Sequence, residues 1–549
     1  MNSDRQPGES DRTAELIGLG VVLILGLVLR LRHLDTLLPW FYYVDELRTV
    51  EYSLRLINNR TIDTGYQFYP ALSFYINAAA YMVWAVAGQA AAVLKHGPGV
   101  ALEMFRGMQD TDLVLLMLSR WVSVLFGLAA LVYAHLVARQ FLPWRWALFA
   151  TLLWSINTLH VSMCGLAKAD SINSFFLIAG FYYASVYLRR GGTRYLVTTC
   201  ALAGLSFAVK NYYFLVIWVS FLLIVKGLEK GEGLGGLVRH RETWAGFLIM
   251  LLAGFIGSPY TFIKLKETMI NVGWLYRQAE IISTWHTDPH AWWRDRHFYA
   301  YLIILPFIFG LPLYLATVAG CVNHARKWAL KDPTILYALI WFLHIFNSQA
   351  GGPSGSSYHY YLYMYIIPFG IIMAVELGKD MVSSPAPWRA AAGYAIIAVV
   401  LVTSLLRIQD YRKLMFENYD LAGPWIRERL GPRSRLLMLS VYKPSKALGV
   451  AEARSVWPQE FDEKLIASFD PDVIVIDTWV VAGFRKYYKP MRVEGLVDSI
   501  LAGDKGYNIV ANFRPDYLNR WYYVALDPEH DVELVVLKRE KTAPETKRE

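Results

Sequence analysis

Two adjacent carboxylates, Asp45 and Glu46, follow the aromatic run Phe41-Tyr42-Tyr43-Val44 just beyond the first apolar stretch of the chain. Burial against such a run raises a carboxyl pKa, and a nearby cation holds one ionised. A general base that deprotonates a hydroxyl nucleophile needs that setting. A plain helix start, with Asp45 capping Glu46–Leu56, accounts for the same pair without chemistry.

Three further corners carry ionisable groups between apolar runs. Lys168-Ala169-Asp170 and Lys210-Asn211-Tyr212-Tyr213 each interrupt hydrophobic sequence, where a charge costs about 2.5–3.5 kcal/mol at the centre of a membrane span and is often functional. Snorkelling of the lysines and capping by Asp170 with Ser171 are the alternatives. The segment His286–His297 holds three His, two Asp, Arg294 and Arg296 in twelve residues. Its spacing fits no defined metal site, whereas its Arg and Trp residues suit a phosphate and a sugar ring. Gly351-Gly352-Pro353-Ser354-Gly355 is glycine-rich, but no lysine followed by Ser or Thr makes it a phosphate loop.

The elements that must position these residues are membrane helices. Of 549 residues 55% are apolar and only 18% charged, with a mean hydropathy of +0.30. Soluble domains carry about 25% charged residues. Three cysteines in apolar runs exclude a disulfide framework and a Cys-based zinc site. The net charge of +9 is read as basic cytoplasmic loops rather than nucleic-acid binding. The first run, Leu16–Leu29, has no small-residue cleavage site after it and reads as a retained anchor. Further spans are expected at 118–137, 146–166, 172–188, 195–209, 212–225, 244–260, 298–321, 335–346, 360–375 and 390–406.

With Ala71–Leu94 lying along the interface, about eleven spans result. The loops with Arg139 and Arg145, Arg189 to Arg194, Lys226 to Arg241 and Arg326 to Lys331 then share one face, the inside. All four ionisable corners fall on the opposite, outer face. After Leu406, short β-type runs at 436–440, 473–477, 509–513 and 532–537, preceded by a helical stretch at 421–430, predict a small α/β domain. The expected organisation is a tail at 1–13, a transmembrane catalytic domain at 14–406 whose first outer loop is 33–117, and an extracytoplasmic domain at 407–549.

Carboxylates and cations converging outside the membrane suit attack by a hydroxyl on a carbon bearing a phosphate leaving group. With no Gly-rich nucleotide fold, the donor would be lipid-linked. The rival is a transporter or flippase of a lipid-linked or sugar substrate, for which inverted repeats and mid-span charges are expected; neither is evident. A third possibility is an assembly or sensor protein whose soluble domain binds a partner.

On these residues the chain resembles the GT-C superfamily of lipid-dependent integral-membrane glycosyltransferases, in particular the protein O-mannosyltransferases and the lipid A aminoarabinose transferase. Leu29-Arg30-Leu31 followed by Tyr43-Val44-Asp45-Glu46 is similar to the family's first span and Asp-Glu motif. Tyr69-Pro70 resembles a basic-residue-Pro pair before an interfacial helix, with Tyr in the basic position. Ser119-Arg120-Trp121 resembles the start of the second span, Ala167–Asp170 an Ala-Arg-Pro-Asp, and Val209-Lys210-Asn211 a Thr-Lys-Gly corner. His359-Tyr360 stands near an Arg-Tyr that precedes a Pro such as Pro368.

The resemblance implies a GT-C fold and an inverting glycosyltransferase of the prokaryotic plasma membrane. It would use a polyprenyl-phosphate sugar and a protein, lipid or glycan acceptor. It implies Asp45 as general base and Glu46 as the residue orienting acceptor or sugar, with Asp170 beside them. Lys168, Lys210, Tyr43, Tyr69, Arg294, Arg296, His359 and Tyr360 would surround substrate and phosphate. No cofactor is implied beyond the lipid-linked co-substrate, and no divalent metal.

Overall fold

The computed structural model describes residues 9–66, 68–210, 241–271, 305–326, 367–478, 480–481, 493–521, 523 and 533–540. The expected spans at 212–225 and 335–346 lie outside the described residues. So do Arg294, Arg296, His359 and Tyr360.

The N-terminal part is helical: α1 (Glu9–Leu31), α2 (Val44–Asn58), α3 (Leu72–Gly88), α4 (Ala90–His96), α5 (Gly99–Glu103), α6 (Leu113–Phe141), α7 (Trp144–Ser155), α8 (Thr158–Cys164), α9 (Ala169–Arg190) and α10 (Thr193–Val209). Later helices are α11 (Arg241–Gly257), α12 (Leu311–Ala325), α13 (Ile367–Val382), α14 (Pro387–Leu406), α15 (Asn418–Arg429), α16 (Glu463–Phe469) and α17 (Val493–Leu501). Among the described residues three helices are long and apolar enough to cross a membrane, beginning at Ser10, Leu113 and Pro387; two sharply bent pairs would raise that to five.

Polar contacts pin the helices at both ends of the bundle. At one end Glu15 of α1 accepts from His135 Nε2 and Arg139 Nε of α6, both at 2.8 Å. Toward the other, Asp112 caps α6 by accepting from the Val114 N–H at 2.9 Å. Between α10 and α11 the backbones nearly touch: a Cβ on Gly204 would sit 2.2 Å from the Met250 carbonyl oxygen. Packing through small residues is how apolar helices approach without a hydrophobic driving force between them.

Two expected segments are bent. The run 146–166 is not one span: α7 and α8 meet at 61°. Asn157 starts the second helix by accepting from the His160 N–H at 3.1 Å. The break leaves the Ser155 carbonyl without a helical partner, and the fully buried Arg30 supplies one at 3.3 Å. In 71–94, α3 and α4 meet at 87°.

The C-terminal region forms a five-stranded sheet, order β4-β2-β5-β7-β6, from β2 (Arg435–Leu439), β4 (Glu452–Val456), β5 (Val473–Asp477), β6 (Tyr507–Phe513) and β7 (Leu534–Arg539). The first three strands are mutually parallel and the last two antiparallel. All five residues of β5 are buried, as expected of a central strand covered on both faces. Four of these strands lie where the sequence predicts them; β4, with its Glu, Arg and Ser, was not expected. A second unexpected pairing joins β1 (Phe41–Tyr43) antiparallel to β3 (Tyr442–Pro444). This ribbon ties the loop after α1 directly to the sheet region.

Candidate active site

The loop after α1 enters β1 and turns straight into α2. Tyr43, extended at φ −76° and ψ 126°, is the N-cap of that helix and offers no side-chain cap. Asp45 is therefore not the cap that its position in the sequence suggests. Asp45 and Glu46 both lie in the first helical turn, where the positive end of the helix dipole favours carboxylates.

The two neighbours part company there. Glu46 is fully buried. Its Oε1 accepts from Arg120 Nε at 2.8 Å and from the Ala167 N–H at 2.7 Å, while its Oε2 accepts from Arg120 Nη2 at 2.8 Å. Arg120 Nη1 donates to the carbonyls of Leu34 and Thr36. This bidentate pair joins α2, α6, the loop after α1 and the corner before α9. A carboxylate held this way has no free face for a substrate. The sequence signal for Arg120 was a guanidinium set among apolar residues in the first half of a long apolar helix.

Asp45 points the other way, with its side chain 37% exposed. Lys168 Nζ lies 3.2 Å from Asp45 Oδ2, and Arg48 Nη1 lies 3.8 Å from Oδ1. Burial acts to raise the Asp45 carboxyl, but Lys168, Arg48 and Lys210 outweigh it and hold the group below the usual carboxylate range. Lys168 also donates to Tyr43 Oη at 3.3 Å and stands 4.7 Å from the centre of that ring. Burial pushes the Tyr43 phenol up to about 12, so it stays protonated.

Asp170, fully buried in the first turn of α9, does not cap that helix; Lys168 is the N-cap residue. Asp170 Oδ1 instead accepts from Lys210 Nζ at 2.7 Å, and Lys210 stands 5.7 Å from the centre of the Tyr69 ring. Lys210 ends α10, so two neighbouring helices each deliver one member of this ion pair.

Asp45, Arg48, Tyr69, Lys168, Asp170 and Lys210 all line one cleft that opens to solvent. Three corners spread over about 165 residues of sequence thus meet in one place. Tyr66, stacked on Tyr52 with ring centres 4.4 Å apart, adds an aromatic wall that sequence reading did not single out. Among the described residues no group of three or more His, Cys, Asp or Glu could hold a metal. What the cleft offers is a half-exposed carboxylate beside two lysines and an arginine: a proton acceptor next to a seat for an anion.

Residues 115–262 match the family of dolichyl-phosphate-mannose-protein mannosyltransferases. That stretch includes Arg120, Lys168, Asp170 and Lys210. No curated protein sequence matches the chain. Among solved structures, the apo oligosaccharyltransferase of Archaeoglobus fulgidus aligns over 93% of this chain and 81% of its own, at 12% identity and a TM-score of 0.52. The same enzyme in complex with Zn and sulfate aligns over 93% and 80%, at 10% identity and 0.51. ArnT from Cupriavidus metallidurans bound to undecaprenyl phosphate aligns over 95% and 97%, at 13% identity and 0.47. The chain therefore has the fold of the archaeal oligosaccharyltransferase, and its residues 115–262 are similar to the dolichyl-phosphate-mannose-protein mannosyltransferases.

Proposed function

We propose that the chain transfers a monosaccharide from a polyprenyl-phosphate carrier to a hydroxyl acceptor at the outer face of a prokaryotic plasma membrane, with inversion at the sugar carbon. Asp45 takes the proton from the acceptor hydroxyl. The resulting oxygen attacks the anomeric carbon, the bond from that carbon to the phosphate oxygen breaks, and polyprenyl phosphate leaves with the electron pair. Lys168 and Lys210 stabilise the departing phosphate, which needs no general acid because it leaves as a stable anion. Asp170 holds Lys210 in place. Glu46, whose oxygens are occupied by Arg120 and the Ala167 N–H, sets the position of the first turn of α2 instead of touching sugar.

The observation that carries this reading is the contact of Asp45 with Lys168 in a shared cleft with Lys210. A phosphate entering the cleft competes for Lys168. Asp45 then loses its main counter-charge while its burial remains, so donor binding itself raises the basicity of the carboxylate. The family matched over residues 115–262, that of the dolichyl-phosphate-mannose-protein mannosyltransferases, supports a polyprenyl-phosphate-linked donor.

The test is sugar transfer by Asp45→Asn in vesicles supplied with the lipid extract of the source cells. Loss of a positioned general base lowers the rate by about 100-fold to 10,000-fold. Full transfer by Asp45→Asn removes Asp45 from the mechanism.

A further inference from the structure

Resting on that reading of Lys168 and Asp45, we infer that the C-terminal sheet is a clamp that sets the geometry of the cleft, with Tyr442 its positioning residue. In open α/β sheets the crevice outside the carboxyl ends of the parallel strands, where the strand order reverses, is the ordinary place for a ligand. Here the chain runs from β2 to β4 on one side and then to β5 on the other, so the order reverses between β2 and β5. Ser440 and Asp477 stand at the ends of those two strands.

That crevice is filled by the protein's own Tyr419, from α15. Its hydroxyl donates to Asp477 Oδ2 at 2.5 Å and pairs with Ser440 Oγ. From Tyr419 an aromatic series runs toward the cleft. Its ring centre lies 4.3 Å from that of Tyr442 and 5.2 Å from that of Phe41. Tyr442 in turn lies 5.5 Å from Tyr43, and the two are directly opposed across the β1–β3 ribbon. Cross-strand neighbours of this kind are the unit by which a pairing is stabilised. Tyr43 carries Lys168, and Lys168 carries Asp45.

Other contacts hold the same segment. Ser445 donates its hydroxyl to the Pro39 carbonyl and its N–H to the Trp40 carbonyl, and Asp420 accepts from the Leu37 N–H at 2.8 Å. Tyr43, as both the last residue of β1 and the N-cap of α2, converts the register of the ribbon into the direction of the first helical turn. The crevice that elsewhere receives a ligand here receives Tyr419, and the catalytic loop packs on that ring through Phe41.

The experiment uses full-length protein in nanodiscs, with Tyr442→Ala, Tyr442→Phe, Ser445→Ala and Lys168→Met compared with the parent. Two quantities are read: amide exchange across 41–49, with α6 as internal standard, and the dissociation constant for a polyprenyl monophosphate. Tyr442→Ala speeds exchange of 41–49 by about threefold to tenfold, the scale of a lost aromatic contact, leaves α6 unchanged, and weakens phosphate-lipid binding. Tyr442→Phe keeps the ring but gives up the hydrogen bond from its hydroxyl to the Met415 carbonyl at 3.1 Å, and brings both quantities most of the way back to parental values. Ser445→Ala, which removes the hydroxyl's bonds to the Pro39 carbonyl and from the Ala447 N–H, loosens the same segment by less and keeps the test alive if Tyr442→Ala does not fold.

Unchanged exchange in Tyr442→Ala and Ser445→Ala overturns the clamp. Faster exchange with undiminished lipid binding, while Lys168→Met does weaken binding, overturns the relay to Lys168. If Lys168→Met itself leaves binding intact, the phosphate assignment is what fails, and the exchange data alone decide the clamp.

Discussion

Lys168 touches three groups that matter at once: the Asp45 carboxylate, the Tyr43 hydroxyl and the Tyr43 ring face. Its side chain is almost wholly buried, while Asp45 is 37% exposed, so solvent screens the pair from the Asp45 side only. Asp45 is held low in the free protein, which places the acid limb of kcat/KM below the ordinary aspartate pKa of about 3.9. The sign follows from the base being active only when ionised: activity falls as pH drops through that depressed value. The stability contributed by the Asp45–Lys168 pair behaves likewise, being present above the unfolded pKa and lost as pH falls through the folded one. In Lys168→Met the largest charge that lowers the Asp45 carboxyl is gone, and the limb in kcat/KM moves up in pH. Separate pH profiles of kcat and kcat/KM for the parent also test the displacement of Lys168 by donor phosphate, since the limb in kcat then lies at the higher pH. Coincident limbs in parent and variant would contradict the assignment.

At the scale of elements, the Glu46–Arg120 pair is the joint among α2, α6 and the corner before α9. Both side chains are fully buried and every charged hydrogen bond is met within the protein. Removing one partner strands the other charge without water, which costs about 3–5 kcal/mol. Glu46→Ala is therefore expected to lower the thermal midpoint sharply, and Glu46→Ala with Arg120→Met to recover part of that loss. A midpoint unchanged by Glu46→Ala alone would show that the pair is not the joint. The helices around it were legible because long apolar runs with basic ends have few other readings. The break at Ile156-Asn157 was not, because it depends on Arg30 lying about 125 residues earlier in the chain and reaching Ser155. A window on local hydropathy passes over a break whose freed carbonyl is satisfied from a distant helix.

At the scale of the whole molecule, helical bundle and sheet are joined through short strands and close backbone approach. A Cβ on Gly423 of α15 would sit 2.3 Å from the Trp40 ring, the residue just before β1. Gly423→Val must push Trp40 aside, with an overpacking cost of about 1–3 kcal/mol. Thermal unfolding is expected to shift down accordingly, and sugar transfer to fall with it because β1 leads directly into Asp45. Four strands of the sheet were legible from their short apolar runs between polar turns. The three-residue strands β1 and β3 were not, since their pairing spans nearly 400 residues and neither carries a pattern long enough to read. The candidate site was legible in part for the same reason. Asp45, Lys168, Asp170 and Lys210 each announce themselves as charges beside apolar sequence, whereas Arg48 and Tyr66 join them only through the fold.

The central claim is that this cleft handles a polyprenyl-phosphate sugar. Native mass spectrometry of purified Asp45→Asn, resupplied in nanodiscs with the lipid extract of its source cells, tests it most directly. The account predicts a retained polyprenyl phosphate bearing the mass of a monosaccharide, held because transfer is blocked. Retention of bulk phospholipid alone, after that resupply, would contradict it.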